Sequence, residues 1–138
     1  MSTYQETLRV KTEPRGFVNI SRSLADIVER SGVVTGLCTV FVRHTSASLV
    51  IQENADPAVL RDLAAWISDL APESRRWEHD AEGADDMPAH ARSAITRSSE
   101  NIPVGGGRLV LGTWQAVYLW EHRAWSHTRD VVVHVSGV

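Results

Sequence analysis

The chain has 138 residues, a formal net charge of −3 from 14 Lys+Arg against 17 Asp+Glu, and 43% hydrophobic residues. This length and composition fit one compact domain over residues 1–138, and the weakly acidic balance argues against a general nucleic-acid-binding protein. No apolar run is long enough to span a bilayer, and the polar start "MSTYQETLRVK" lacks the apolar core of a signal peptide. With a single cysteine, Cys38, excluding an internal disulfide, we expect a cytoplasmic protein without membrane partners.

The first part of the chain predicts strands around one helix. Tyr4–Lys11 and Gly16–Ile20 look like short strands. The apolar residues of "SRSLADIVERSG" recur at helical spacing, and Gly32 ends that helix. Residues from Thr35 to His44 alternate between apolar and polar, and no turn residue separates them from Thr45–Gln52. We therefore expect one long or bent strand there.

The second part predicts two more helices and a hairpin. Asp56 is a good N-cap with Pro57 at the first helical position, and an acidic, irregular segment follows that helix. A third helix is expected from near Asp86 to about Ser98. Three consecutive glycines then predict a turn before the strands "RLVLGTWQAVYLWEH" and "TRDVVVHVSG". The pattern indicates an α+β fold, a single mixed but mostly antiparallel sheet with about three helices packed against it.

Histidines form the first candidate site. His79 lies in the acidic segment, His90 lies on the inward face of the third helix, and His44 points inward from its strand. Carboxylates such as Glu53, Asp80 and Asp86 are close in sequence, and imidazoles with a carboxylate are ordinary ligands of zinc. The same residues also suit a metal-free acid–base cluster, and each histidine alone suits a hydrogen-bonded core position.

Two further polar segments interrupt apolar strands. "HTSAS" suggests a serine nucleophile beside a histidine, but it lacks a G-x-S-x-G elbow, and neighbouring strand residues face opposite ways. The hydroxyls of Thr45 and Ser46 are therefore read as donors to a ligand or the backbone. In "LGTWQ", Gly112 and Gln115 suit close approach and hydrogen bonding of a ligand, or else a bulge anchored by Trp114.

Three segments in this order resemble the YjbQ family, also called the secondary thiamine-phosphate synthase family. They read "HTSASLVIQENADPAVLRDL", "HDAEGADDMPAH" and "NIPVGGGRLVLGTWQAVYLWEHR", and the resemblance runs roughly from Val18 to the C-terminus. It implies an α+β fold, trimeric assembly and a histidine-rich site that holds a metal or an anion. The family usually has asparagine where this chain has Asp86, and the added negative charge favours a cation.

The resemblance also implies roles for individual residues. His44, His79 and His90 are the implied catalytic groups and the implied ligands of a divalent metal, zinc or magnesium. The residues expected to bind substrate are Thr45, Ser46, Glu53, Asn54, Asp86, Gln115 and Arg129.

The implied activity is that of a transferase that joins a pyrimidine diphosphate to a thiazole phosphate and releases pyrophosphate. Its partners are then a phosphorylated small molecule and two further copies of the chain. One alternative keeps the site but performs metal-assisted hydrolysis, or another reaction, on a phosphorylated metabolite. Another is a non-catalytic trimeric protein in which a metal or ligand only stabilises the assembly.

Overall fold

The computed structural model describes residues 1–138. Eight strands and three helices follow one another in the order β1 (Ser2–Lys11), β2 (Phe17–Asn19), α1 (Ser21–Ser31), β3 (Gly36–Val42), β4 (Ala47–Glu53), α2 (Pro57–Leu70), α3 (Asp86–Ile95), β5 (Ser99–Gly105), β6 (Arg108–Leu109), β7 (Gln115–Glu121) and β8 (Thr128–Gly137). The α+β class and the three helices are as predicted. None of these helices has the length and apolar character that a membrane crossing requires.

The strands form two sheets in place of the single mixed sheet that was predicted. One sheet has the order β1-β8-β3-β5-β6 and the other has the order β2-β7-β4. Every strand pair is antiparallel. The long pair of β1 with β8, from Ser2 opposite Gly137 to Lys11 opposite Thr128, joins the two ends of the chain.

The core lies where the sheets and α1 meet. The predicted inward face of β3 is fully buried, as is the alternate face of β8, and α1 adds its apolar stripe. The buried side chains of these three elements are Cys38, Val40, Val42, Val131, Val133, Val135, Leu24, Ile27 and Val28. Period-two burial on the strands and helical spacing on α1 thus build one continuous apolar cluster.

The long or bent strand expected through residues 35–52 is two separate strands, β3 and β4. β3 belongs to the five-stranded sheet and β4 to the three-stranded sheet, so residues 43–46 cross between them. At the crossing the backbone N–H of Arg43 donates to Asp130 O (3.2 Å), and the N–H of Asp130 donates to His44 Nε2 (2.8 Å). These hydrogen bonds with β8 pair the backbone N–H groups of Arg43 and Asp130 where the strand pairing is interrupted.

The strand predicted across "RLVLGTWQAVYLWEH" also divides, into β6 and β7 in different sheets. The side chain of Gln115 accepts from the Gly112 N–H at 2.8 Å, and the Gln115 N–H donates to Gly112 O at 3.0 Å. These two bonds close a tight turn between the strands. The third helix ends at Ile95, three residues before the predicted end, because Thr96 is extended.

Candidate metal site

The start of α3 presents an acidic side chain and an imidazole on one face. Asp86 and His90 are one helical turn apart, and Asp86 Oδ2 lies 3.2 Å from His90 Nε2. The same oxygen lies 2.7 Å from Nε2 of His79, which comes from the preceding loop. The three ligand atoms lie within 4.8 Å of one another, and the two imidazole rings are 5.4 Å apart.

A hydrogen bond to a residue outside this group orients His90. His90 Nδ1 lies 3.2 Å from the carbonyl oxygen of Thr45, which can only accept, so Nδ1 carries the proton. In a neutral His90, Nε2 then carries a lone pair that faces the carboxylate oxygen Oδ2 of Asp86. Two acceptors facing each other repel unless a proton or a metal ion lies between them.

The local charges keep Asp86 ionised. Burial acts to raise the pKa of Asp86, but the hydrogen bond with His79 and the charges of His90 and Arg123 outweigh it and hold that pKa below its usual value. The bond to Asp86 in turn raises the pKa of His79. The carboxylate is 4% exposed, whereas the side chains of His79 and His90 are 46% and 32% exposed, so the group opens to solvent on the imidazole side.

The donor set fits a divalent metal of the zinc type. Two imidazole nitrogens and one carboxylate oxygen are ordinary zinc ligands, and bond lengths of ~2.0–2.2 Å set tetrahedral ligand atoms roughly 3.3 Å apart. The separation of 3.2 Å between Asp86 Oδ2 and His90 Nε2 is close to that value, whereas the 2.7 Å between Asp86 Oδ2 and His79 Nε2 is a hydrogen-bond distance that would lengthen around an ion. Asp86 was predicted as a substrate-binding residue, and here its side chain lies beside His79 and His90 as a third possible metal ligand.

His44 lies outside this group. Its Nε2 accepts from the N–H of Asp130 at 2.8 Å, and its Nδ1 lies 3.4 Å from Arg129 Nη1. Burial and the neighbouring charge of Arg129 lower the pKa of His44. The geometry therefore separates His44 from the two histidines with which it was predicted to bind metal.

Arg129 belongs to a buried ion pair. Its side chain is 5% exposed, its Nε donates to Glu121 Oε1 at 2.8 Å, and its Nη2 donates to Ser46 Oγ at 2.9 Å. Thr12 Oγ1 also donates to Glu121 Oε1, at 2.7 Å. Arg129 and Ser46 thus hold each other and the strand crossing near His44, and Thr45 contributes its carbonyl to His90.

The other predicted substrate-binding residues lie at the opposite end of β4. Glu53 pairs with Gln115 across β4 and β7, and the Asn54 N–H donates to Trp114 O at 2.9 Å. The seven residues of β4 span ~20 Å at ~3.3 Å per residue. Within one chain, the predicted site residues therefore form two separate groups.

Sequence reasoning missed Arg123, which contacts both acidic residues at the start of α3. Its Nε lies 2.8 Å from Asp85 Oδ2, and its Nη1 lies 2.9 Å from Asp86 Oδ1. The Arg123 guanidinium lowers the pKa of Asp85 to about 2. The available signal was the run of titratable residues "EHR" directly after the apolar strand "VYLW".

The whole chain is related to proteins from bacteria and archaea. The family model described as "UPF0047 protein YjbQ-like" matches residues 6–138. A UPF0047 protein of Synechocystis is 59% identical over 135 residues, covering 97% of this chain and 92% of that protein. The UPF0047 protein YjbQ of Salmonella typhimurium is 42% identical over 137 residues, covering 97% of this chain and 98% of that protein.

Solved structures agree with this relationship. A YbjQ-like protein of unknown function from Sulfolobus solfataricus superimposes with a TM-score of 0.91 at 29% identity, covering 99% of this chain and 98% of that one. A conserved hypothetical protein from Thermus thermophilus gives a TM-score of 0.84 at 37% identity, covering 95% of this chain and 99% of that one. The sequence, the family match and the fold agree, and this chain belongs to the UPF0047/YjbQ family.

Proposed function

We propose that this protein is a metal-dependent enzyme acting on a phosphorylated small molecule, with thiamine-phosphate synthesis as its activity. The observation that carries this proposal is the convergence of His79, Asp86 and His90, whose ligand atoms lie within 4.8 Å of one another. His79 and His90 hold the metal through their Nε2 atoms, and Asp86 holds it through Oδ2. Zinc is the ion that this donor set favours over magnesium, because magnesium prefers an oxygen environment.

A recess beside His79 supports a phosphorylated substrate. Its volume is about 390 Å³, and Arg75, Arg76 and Trp77 line it together with His79. Arg75 lies over the Trp77 ring, with 5.0 Å from its guanidinium carbon to the ring centroid. Guanidinium groups bind phosphate oxygens well, and an aromatic ring offers a flat apolar surface to a heterocycle.

The proposed reaction needs positioning and charge stabilisation. The C–O bond between the pyrimidine methylene carbon and the diphosphate breaks, and its electron pair leaves with pyrophosphate. The lone pair of the thiazole nitrogen forms the new C–N bond, which yields the thiazolium product. A bound divalent ion supplies positive charge that stabilises the leaving pyrophosphate. Arg75 and Arg76 hold substrate phosphate groups. His79 and His90 would hold the divalent ion at the edge of the recess.

The direct test is formation of thiamine phosphate from the two phosphorylated precursors, with Zn²⁺ or Mg²⁺ added. We expect turnover by the wild type and a loss of roughly 100-fold in the His90→Ala variant, because metal stabilisation of a transition state is worth several kcal/mol. His134→Ala is the matched control, since the half-buried His134 bonds to Gln5 on the far sheet. Wild-type turnover at background with both ions would rule out the synthase activity.

A second candidate is metal-assisted hydrolysis of a phosphate ester. Three protein ligands leave further coordination positions open, which is the arrangement of catalytic rather than structural zinc sites. Release of inorganic phosphate from either precursor alone, lost in His90→Ala and retained in His134→Ala, would favour this reaction over the transfer.

We also propose that the protein assembles as a homotrimer. The resemblance to the family suggests this state, and exposed large apolar side chains support burial against another copy. Trp66, Leu70 and Ile95 are 52%, 55% and 56% exposed, and Leu63, Trp66 and Ile95 line an apolar groove beside β4.

A further inference from the structure

We propose that Arg123 is a positioning residue that restricts Asp86 to one coordinating oxygen and so makes the site select zinc-like ions over calcium. This inference rests on the metal site proposed above. It assigns the choice of metal to a residue that contacts no metal, on a different element from any of the three ligands.

The two carboxylate oxygens of Asp86 have different partners. Arg123 Nη1 lies 2.9 Å from Asp86 Oδ1, while Asp86 Oδ2 faces the Nε2 atoms of His79 and His90. The Arg123 side chain is 19% exposed and the Asp86 side chain is 4% exposed, so water has little room to replace this contact. Oδ1 is occupied by a cationic donor, and only Oδ2 is free to bind a metal.

The guanidinium is itself held in place from three sides. Its Nε lies 2.8 Å from Asp85 Oδ2 and its Nη2 donates to Glu82 O at 3.1 Å, in addition to the Nη1 contact with Asp86. The backbone N–H of Arg123 donates to Glu121 Oε2 at 3.0 Å. Asp85 also accepts from the Ala124 N–H at 2.9 Å. Arg123 therefore cannot swing away when a metal approaches, and the restriction on Asp86 is built into the fold.

One-oxygen binding by Asp86 suits some ions and not others. Zinc takes four ligands and is satisfied by two imidazoles, one carboxylate oxygen and one further group. Calcium takes six to eight oxygen ligands and commonly uses carboxylates through both oxygens. The charge of Arg123 does not by itself repel cations from the site, because the ionised Asp85 carboxylate pairs with it.

Removal of Arg123 should therefore change the two affinities in opposite directions. In Arg123→Met, both oxygens of Asp86 and the unpaired carboxylate of Asp85 become available to a hard cation, so calcium binds more tightly. For zinc, Asp86 is no longer held at the angle that one-oxygen binding needs. Loss of a contact that orients a metal ligand weakens metal affinity by about 10–100-fold. We expect the ratio of zinc to calcium affinity to fall at least tenfold.

The experiment is calorimetric titration of the full chain, freed of metal by chelation, with Zn²⁺ and separately with Ca²⁺. The matched control is Arg30→Met, which removes an arginine from a carboxylate pair with Glu6 at 2.7 Å between α1 and β1. The ratio of zinc to calcium affinity in Arg30→Met should equal that of the wild type. Should Arg123→Met fail to fold, the double variant Asp85→Asn/Arg123→Met leaves no unpaired buried carboxylate and still frees Asp86 Oδ1.

The outcomes separate this inference from the proposed function. A wild type that binds no Zn²⁺ overturns the metal site itself. A wild type that binds Zn²⁺, with an unchanged zinc-to-calcium ratio in the Arg123 variants, overturns only the role of Arg123. Equal weakening of both ions also overturns it, since that result indicates general damage to the site.

Discussion

At the residue scale, His122 has the most unusual surroundings among the histidines. It is 1% exposed, and its Nε2 lies 2.7 Å from Ser48 Oγ on β4. Its Nδ1 and the nearby Nε of Arg92 are buried without a hydrogen-bond partner. The Ser48–His122 pair has the composition of a nucleophile and base, but Ser48 is also 1% exposed and no carboxylate orients Nδ1. The pair is therefore a buried structural hydrogen bond and lacks the access and the orienting carboxylate of a hydrolase site.

His122 should make the protein sensitive to acid. Burial, reinforced by the charge of Arg92, lowers the pKa of His122 to about 3. Between pH 6.5 and about 3 the unfolded chain binds a proton that the folded chain does not, so the free energy of unfolding falls as pH falls. The slope is up to ~1.4 kcal/mol per pH unit, which gives about 2 kcal/mol between pH 7 and pH 5. Urea denaturation at pH 7 and pH 5 measures this loss.

A matched pair of variants isolates the effect of His122. His122→Gln retains a donor for Ser48 but cannot titrate, so its loss of stability over the same pH range should be smaller by about 2 kcal/mol. His134→Gln changes a half-buried histidine that bonds to Gln5 and should follow the wild type. Identical pH dependence in all three proteins would show that His122 is protonated without cost in the folded state.

Sequence pattern located only part of the candidate site at this scale. His90 was placed correctly because helical spacing sets its face, and His79 and Asp86 are close to it in the chain. Arg123 was missed although it lies in the titratable run "EHR", because its contact with Asp86 depends on the antiparallel packing of β7 beside β4 and not on closeness in the chain. His44 was assigned to the metal by its inward direction and by resemblance, whereas in the structure its Nε2 accepts from the backbone N–H of Asp130 on β8.

At the element scale, helices were easier to predict than strands because their signals are local. The limits of α1 and α2 follow from apolar spacing, Gly32 in the left-handed conformation, and the Asp56 cap with Pro57. The breaks after β3 and β6 carry no comparable signal. They arise because the flanking strands pair with different neighbours, which depends on contacts distant in sequence.

The cap of α2 gives a prediction for this scale. Asp56 Oδ1 accepts from the Ala58 N–H at 2.9 Å, and replacement by alanine leaves that donor unpaired. We expect Asp56→Ala to lower the free energy of unfolding by about 1 kcal/mol. Asp62→Ala, an exposed change within the same helix, is the control and should have a small effect. Chemical denaturation at pH 7 compares them, and equal stabilities would show that the cap contributes nothing.

At the scale of the whole molecule, the predicted site residues form two separate groups within one chain. His79, Asp86 and His90 gather at one end of β4, and Glu53, Asn54 and Gln115 gather ~20 Å away at the other end. A single small substrate cannot touch both groups in one copy. If both groups serve one reaction, the metal ligands of one copy must face the Gln115 end of the next copy in a closed ring.

This arrangement predicts complementation between two inactive variants in the proposed trimer. His90→Ala removes a metal ligand and Gln115→Ala removes the far group, so each variant alone should lack thiamine-phosphate formation. In trimers co-expressed from both variants in equal amounts, a complete site needs an intact His90 from one copy and an intact Gln115 from its neighbour. Random assembly provides both in about one quarter of sites, so about one quarter of wild-type turnover should return. Light scattering should give a native mass of three times the 15.3 kDa of one chain. Mixed trimers without activity would place both groups in the same copy or leave one of them outside the reaction.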